Sequence, residues 1–309
     1  MLGVQVGRRD VLRWSGTALL TMPFALSAVS ACSGGYDDSP DPLAPVAAAA
    51  RADAEAAREM GGKLAEQIAE LRAAQADAVQ REVDRANRPP APAGDRPPAT
   101  SPKALGKRLR SAAEQAVGLI PRESRPRAGL LASVAAGCSA GLALDGSLGS
   151  PPAPRFAAPD PGDQLDEAAV QTLQDALAAE HATLWVFGLV TAFLPGSYDK
   201  GLRAATVEHR QRRDAAQAAL ISAGATPVLA ETAYATPKPV KDDKSARAAV
   251  VAAETDAVAA WRVVIEHCDV AQVRSLAVAA MQASAARLTR WRLEAGMRPA
   301  ALAMPGARS

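Results

Sequence analysis

The chain has 309 residues and a formal net charge of +2; apolar residues make up 49% of it, and aromatic residues only 4%. Alanine therefore supplies much of the apolar fraction, and alanine has the highest intrinsic helix propensity. No segment alternates β-branched or aromatic residues with polar ones between turn signals, as strands would. The composition predicts an all-α protein, and the small net charge argues against nucleic acid as a partner.

The first 32 residues have the three regions of a bacterial export signal. Gly7-Arg8-Arg9-Asp10-Val11-Leu12 resembles the twin-arginine motif, although Gly7 and Val11 depart from its usual residues. The apolar run that follows is too short and too polar for a spanning helix. It ends in Val29-Ser30-Ala31-Cys32, which resembles the lipobox of bacterial lipoproteins. The resemblance implies cleavage after residue 31 and acylation of the Cys32 thiol; an ordinary secretory signal with a chance cysteine is the alternative.

Removal of residues 1–31 would change the charge of the chain. Arg8, Arg9 and Arg13, set against Asp10, account for the whole net charge of +2. The mature protein would therefore be close to neutral. Residues 32–42 are small, acidic and proline-bearing, and they predict a flexible tether that holds the folded body off the bilayer.

Residues 43–145 predict an N-terminal bundle of four helices. Gly61-Gly62 separates the first pair, at about 43–60 and 63–87. A connection at 88–102 carries six prolines, which no helix could absorb. The second pair is expected at about 102–117, after a Ser101 N-cap, and at about 127–144.

Residues 146–162 predict a linker rich in glycine, serine and proline, and residues 163–296 a second bundle. Its helices are expected at about 165–194, 198–223, 245–267 and, from an Asp269 N-cap, 269–294. A long connection at 225–243 separates its two pairs, and residues 297–309 form a tail.

Each half has the order hairpin, long crossover, hairpin, which is the connectivity of ferritin-like bundles. Two segments of residues 165–295 also resemble a ferritin-like domain of uncharacterised function in exported proteins of high-GC bacteria. They are Leu177-Ala178-Ala179-Glu180-His181-Ala182 and Glu208-His209-Arg210-Gln211-Arg212-Arg213-Asp214. We therefore expect an all-α protein of two ferritin-like four-helix bundles, of which the N-terminal one matches the plan only in layout.

The resemblance implies that a di-metal centre should be sought. Such a centre takes one Glu from each of two helices and a Glu-x-x-His pair from each of the other two. Glu180 and Glu254 lie on apolar stripes and fit the single glutamates, but Glu208 has Gln211 three residues later and the last helix has no histidine. Half of the ligand set is missing, so no metal or other cofactor is predicted.

The same residues allow a second interpretation. Acids that face a core need partners, and His209 with Arg213, four residues apart, could supply them. A buried polar network of Glu180, Glu254, His209 and Arg213 is therefore weighed against a degenerate metal site built on Glu180, Glu208, His209 and Glu254. A third alternative is that one or more of these groups reaches solvent.

Two cysteines remain once Cys32 is acylated. Cys138 and Cys268 lie on the apolar sides of alanine-rich helices, and an exported protein could join them in a disulfide. The alternative is that both are buried free thiols, which behave as small apolar groups. No Cys-x-x-Cys spacing is present.

The sequence leaves three hypotheses about function. The first is a non-catalytic binding or scaffolding component of the cell envelope, anchored by lipid on the extracytoplasmic face of the cell membrane, with an envelope protein as a partner. The second is a ferritin-like metal-binding protein or oxidoreductase with an incomplete carboxylate site. The third is a groove between the bundles that holds an apolar envelope lipid.

Overall fold

The computed structural model describes residues 39–89, 99–157 and 164–307. Within these ranges the chain forms eight α-helices and no β-strand, as predicted. In chain order the helices are α1 Ala44–Met60, α2 Lys63–Ala86, α3 Pro102–Leu119, α4 Arg125–Leu142, α5 Glu167–Val190, α6 Asp199–Ser222, α7 Asp243–His267 and α8 Ala271–Glu294.

Side-chain caps explain where three of the helices begin. Ser101 accepts from the backbone N–H of Ala104 at the start of α3, as the sequence predicted, and Asp166 caps α5 in the same way. Asp242 forms a capping box with Ser245 at the start of α7.

The predicted cap of the last helix is different. Asp269 does not cap α8, whose N-cap is Val270. The Asp269 carboxylate instead accepts from the guanidinium groups of Arg274 and Arg125, at 2.8 Å in each case. Because Arg125 begins α4, this pair of contacts links the two halves of the chain.

The C-terminal half has the predicted order of hairpin, crossover and hairpin. The crossover follows α5 from one end to the other: Gln174 donates to the backbone oxygen of Thr226 at 2.8 Å, and the rings of Trp185 and Tyr234 lie 6.0 Å apart. The chain therefore enters α7 beside the end of α5, so these two helices run antiparallel. The remaining face of the bundle, between α6 and α8, is the most loosely packed.

Helix α4 joins the two halves into one compact unit. It packs on α3 of its own half and on α7 and α8 of the other, and it is buried on every side from Leu131 to Leu142. Its alanines, glycines and serines let neighbouring helices approach closely. At Gly129, for example, an added Cβ would lie 2.5 Å from Cγ of Glu266 in α7.

The C-terminal segment after α8 also packs against the N-terminal half. Gln75 of α2 donates to the backbone oxygen of Ala303 at 2.9 Å, and Ser133 of α4 donates to that of Pro305 at 2.8 Å. Gly137 makes room for this approach, because a Cβ there would lie 2.1 Å from the Ala303 oxygen. The predicted tail is therefore part of the packed body as far as the structure describes it.

No helix within the described ranges is long and apolar enough to cross a membrane. The predicted signal, including Arg8, Arg9 and Cys32, lies outside the described residues, as does most of the predicted tether.

Candidate functional site

Four residues predicted as site candidates meet in the core of the C-terminal half. The His209 ring of α6 lies between two carboxylates, with Nδ1 2.5 Å from Oε2 of Glu180 on α5 and Nε2 3.4 Å from Oε1 of Glu254 on α7. All three side chains are fully buried. Glu208, the neighbour of His209 on α6, lies at the edge with 29% of its side chain exposed.

Two arginines complete the cluster, and neither is the arginine predicted from the sequence. Arg287 of α8 donates through Nε to Oε1 of Glu254 at 2.5 Å, and through Nη1 to Oε2 of Glu208. Arg212 of α6 lies 3.7 Å from Oε1 of Glu180 and donates to Ser284 of α8 at 2.7 Å. We call Glu180, Glu208, His209, Arg212, Glu254 and Arg287 the charged cluster.

Arg213 lies outside the charged cluster. Its guanidinium pairs with the adjacent Asp214 at 2.7 Å, and both side chains are partly exposed. The predicted network therefore forms with Arg212 in the place of Arg213, because α8 covers the face of α6 that carries Arg212 and offers Ser284 there.

Aromatic groups enclose the charged cluster. Trp261 of α7 donates its indole N–H to Oε1 of Glu180 at 2.6 Å, so both oxygens of this glutamate have a donor. Phe187 meets the His209 ring edge-on, with the centroids 5.1 Å apart. The Phe156 ring lies 4.9 Å from the guanidinium carbon of Arg212. Glu180, His209, Arg212 and Glu254 are fully buried, and in such an environment charges interact strongly.

The pKa values follow from the competition between burial and opposite charge. Burial alone would raise the pKa of Glu180, but His209, Arg212 and the Trp261 N–H together lower it. The pKa of Glu254 is likewise lowered despite burial, mainly by Arg287 and His209. Burial and the charge of Arg287 lower the pKa of Arg212 to about 10, against the pull of the three glutamates. Both buried carboxylates therefore remain ionised at neutral pH.

The imidazole can take part in two hydrogen-bond patterns. Nδ1 of His209 donates to Glu180 in both. Nε2 lies 3.1 Å from Nη2 of Arg287, and a guanidinium nitrogen cannot accept, so this contact is a hydrogen bond only when Nε2 is unprotonated. When Nε2 carries a proton it faces Glu254, and the three carboxylates are then balanced by three cations.

The charged cluster does not fit a di-metal centre. Three of the four carboxylate oxygens of Glu180 and Glu254 are already engaged: Oε1 and Oε2 of Glu180 by Trp261 and His209, and Oε1 of Glu254 by Arg287. Oε2 of Glu254 is buried and has no hydrogen-bond partner among the described residues. A guanidinium carries the charge that a cation would supply. In the part of the chain that the structure describes, no group of three or more His, Cys, Asp or Glu side chains is arranged to hold a metal ion.

A groove opens beside the charged cluster, between α6 and α8. Its cavity volume is about 480 Å³, and Glu208 and Arg287 contribute to its wall. The segment 150–154, which follows the N-terminal bundle, forms its third wall. The volume lies within the ~300–1,000 Å³ typical of small-molecule sites.

Part of the chain, including the charged cluster, matches a described family model. Residues 172–309 match the model of a domain of unknown function, DUF4439. The chain is also similar to the crystal structure of a conserved hypothetical protein from Mycobacterium tuberculosis, at 36% identity and a TM-score of 0.41, with 43% of this chain and 93% of that chain covered. No curated protein matches this chain.

The DUF4439 match includes every member of the charged cluster and both helices that line the groove. It leaves out the N-terminal half and the segment 150–154. The third wall of the groove is therefore supplied by a part of the chain that lies outside the DUF4439 region.

The N-terminal half has a buried polar network of its own. Arg72 of α2 pairs with Asp53 of α1 at 2.9 Å and donates to Gln75 at 2.5 Å. The Cys138 thiol of α4 lies 3.5 Å from Arg72 and 3.6 Å from Gln75. Because Gln75 also holds the C-terminal segment through Ala303, this network links α1, α2, α4 and that segment.

The two cysteines considered for a disulfide are both buried and unpaired. Burial raises the pKa of each thiol, more than nearby arginines lower it. Both are therefore held as neutral thiols, which are poor nucleophiles.

One further pattern, Gly137-Cys138-Ser139-Ala140-Gly141, has the Gly-x-Ser-x-Gly spacing of a nucleophile elbow. That elbow is a strand-to-helix turn that exposes its serine. Here Ser139 is fully buried in the middle of α4, and its hydroxyl accepts from Gln282 at 3.3 Å. The pattern is a close-packing stretch of small residues.

Proposed function

We propose that this protein is a lipid-anchored, extracytoplasmic component of the cell envelope that acts by binding or scaffolding rather than by catalysis. Its C-terminal half has the connectivity of a ferritin-like bundle, and its charged cluster serves as a structural ion network. The observation that carries the proposal is the place of Arg287, which bonds to two of the carboxylates that a ferritin-like metal centre would need.

The energetics of the charged cluster support a structural role. A buried charge is tolerated only when it is paired and hydrogen-bonded. His209 and Arg212 pair with Glu180, and Arg287 and His209 pair with Oε1 of Glu254. Of the four oxygens, only Oε2 of Glu254 has no hydrogen-bond partner among the described residues. Helices rich in alanine have few large side chains that fix their register, so a specific ion network would supply that specificity.

The proposed location at the cell membrane rests on residues 1–32, and it is tested separately from the helical bundle. We expect the protein from a bacterial host with twin-arginine export to carry an acyl mass on Cys32, measured by mass spectrometry. Cys32→Ser should lose this mass, whereas Cys268→Ser should keep it because that cysteine is buried. An unmodified Cys32 in exported wild-type protein would refute the anchor.

The metal-binding alternative is tested by metal analysis. The full chain is exposed to iron and manganese, dialysed and analysed beside Glu180→Ala, Glu254→Ala and, as a control on the exposed face of α3, Glu114→Ala. We expect no stoichiometric metal in any of the four proteins. Stoichiometric metal in the wild type and the control that disappears in both cluster variants would establish the metal-binding alternative.

A further inference from the structure

The groove between α6 and α8 owes its space to small residues. Gly201, Ala204 and Ala205 face it from α6, at the spacing of one helix face, and Ala283 and Ala286 face it from α8. An added Cβ at Gly201 would meet nothing within 4 Å, so the α6 side is open. The helices are thus held apart by a space that no side chain fills.

Most of the remaining lining is also apolar. The segment Pro151-Pro152-Ala153-Pro154 forms the wall opposite the two helices. Trp291 closes the far end, and its ring is stacked on that of Tyr198 with the centroids 5.3 Å apart. A molecule in this groove would bury an apolar body against proline, alanine and tryptophan, which is favourable in proportion to the area removed from water.

Some of the charged side chains that line the groove already have a partner among the described residues, and one does not. Arg287 and Glu208 are bonded to each other. Glu294 accepts from the Tyr198 hydroxyl at 3.1 Å. Arg290 also lines the groove, and it has neither an ion pair nor a hydrogen bond within the described residues. Among the four ionised groups at the groove, Arg290 is therefore the one free to receive a ligand charge.

We propose that this groove binds a single-chain amphiphile with an anionic head, a carboxylate or a phosphate. The apolar chain lies between the alanine faces of α6 and α8, and the head pairs with Arg290, whose planar guanidinium suits both head groups. This inference deepens the proposed binding role by naming a ligand class, and it does not depend on the lipid anchor.

Calorimetric titration with defined probes tests the proposal. The full chain carrying Cys32→Ser is used, so that its own acyl group cannot occupy the groove, and it is titrated below micelle formation with dodecanoate, dodecyl phosphate and dodecanol. We expect at least one of the two anions to bind with a Kd below about 1 mM, and dodecanol to bind more weakly. The two anions distinguish a carboxylate from a phosphate head. Absence of saturable binding by both anions would overturn the proposal.

Variants separate the apolar contact from the charge. Ala204→Trp fills the groove from an exposed position, and it should abolish binding of every probe. Val207→Trp adds the same ring on an exposed position of α6 that does not line the groove, and it should leave binding unchanged. Binding by Ala204→Trp at wild-type strength would refute the location.

The head-group contact is tested on the exposed side chain of Arg290, where folding is not at risk. Arg290→Gln should weaken binding of the anion roughly tenfold and leave dodecanol unaffected, because only the charged hydrogen bond is lost. Arg210→Gln, exposed on α6 outside the groove, is the matched control. Equal loss in both variants, or none in Arg290→Gln, would refute the role of Arg290. The outcome is independent of the test of acylation at Cys32.

Discussion

Replacement of Arg287 by methionine tests the interpretation of the charged cluster most directly. Methionine keeps much of the length and apolar volume of the side chain but removes the guanidinium. The change takes away the Nε bond to Glu254 and the Nη1 bond to Glu208. It leaves Glu254 fully buried, with His209 as its nearest donor at 3.4 Å.

The expected loss of stability follows from that unpaired carboxylate. Removal of one partner of a buried ion pair typically costs ~3–5 kcal/mol, because the other charge remains buried. The lost bond to Glu208 adds little, since an acid that is 29% exposed can be hydrated by solvent. We therefore expect the free energy of unfolding to fall by about 3–5 kcal/mol at pH 7. In a protein whose total is typically ~5–15 kcal/mol, such a loss is easily measured.

Urea unfolding followed by circular dichroism measures the effect, with Arg287→Lys and the double variant Arg287→Met/Glu254→Gln as companions. The double variant removes both charges, so it should recover part of the stability lost in Arg287→Met. Lysine restores the charge but not the several bonds of the guanidinium, and it should give an intermediate value. A loss below about 1 kcal/mol in Arg287→Met would refute the reasoning, because that is the size expected of a solvent-exposed pair.

Three further predictions concern the arginines of α6, two glycines of the N-terminal half and the stability of the protein in acid. Arg213→Ala should change the free energy of unfolding by no more than about 1 kcal/mol, because its partner Asp214 is exposed. Arg212→Met should lower the free energy of unfolding by several times as much, because Arg212 pairs with the buried Glu180. A reversed order of the two variants in urea unfolding would contradict the structure. Gly137→Ala should lower the melting temperature, because the added Cβ would lie 2.1 Å from the backbone oxygen of Ala303. Gly118→Ala has open space around the added Cβ and should raise the melting temperature slightly. Equal effects of the two variants would argue against the contact between Gly137 and the C-terminal segment. The two buried glutamates have folded-state pKa values below their ordinary value of 4.5, so the unfolded chain binds more protons in acid. The stability that they contribute should be complete above about pH 4.5 and should fall below it. A free energy of unfolding that does not change with pH, measured by urea titrations at several pH values, would refute this prediction.

The sequence was sufficient to predict the helices and the centre of the charged cluster. Proline and glycine mark the ends of helices through backbone restrictions that act locally, so their effect does not depend on tertiary contacts. Glu180 and Glu254 could be assigned to the core because each interrupts an apolar stripe at helical spacing. Because a buried acid needs a partner, His209 was predicted to pair with these glutamates.

The identity of the arginines could not be derived in the same way. At about 100° per residue, Arg212 lies about 60° to one side of His209 and Arg213 about 40° to the other, so the angle favours the wrong residue. The packing of α8 on α6 decides between them, and that is a tertiary fact. Arg287 did leave a signal, because it lies three residues after Ser284 and four before Trp291, at the spacing of one helix face. Arginine is not a metal ligand, so the ligand pattern of a di-metal centre does not identify Arg287.

The groove between α6 and α8 is not the groove between the bundles named in the third hypothesis, and its walls are distant along the chain. The face of α6 at Gly201 and the face of α8 at Ala286 are each recognisable as small residues on a helix. Only the fold brings the segment 150–154 across them. Periodicity identifies which side of a helix is apolar, and it does not show whether a neighbouring helix fills the space.

The two halves of the molecule contain a similar contact of a buried arginine at equivalent places. In each half an arginine of the second helix pairs with an acid of the first and contacts a small residue, Cys138 or Ser284, at the fourteenth position of the fourth helix. Arg72 lies 3.5 Å from the Cys138 sulfur, and Arg212 donates to the Ser284 hydroxyl at 2.7 Å. The N-terminal half contains no histidine, so it has no Glu-x-x-His pair of the kind that a di-metal centre requires. What the halves share is the buried arginine, which supports a structural origin for the charged cluster. Recognition of another molecule is therefore proposed for the groove beside α8 and not for the charged cluster.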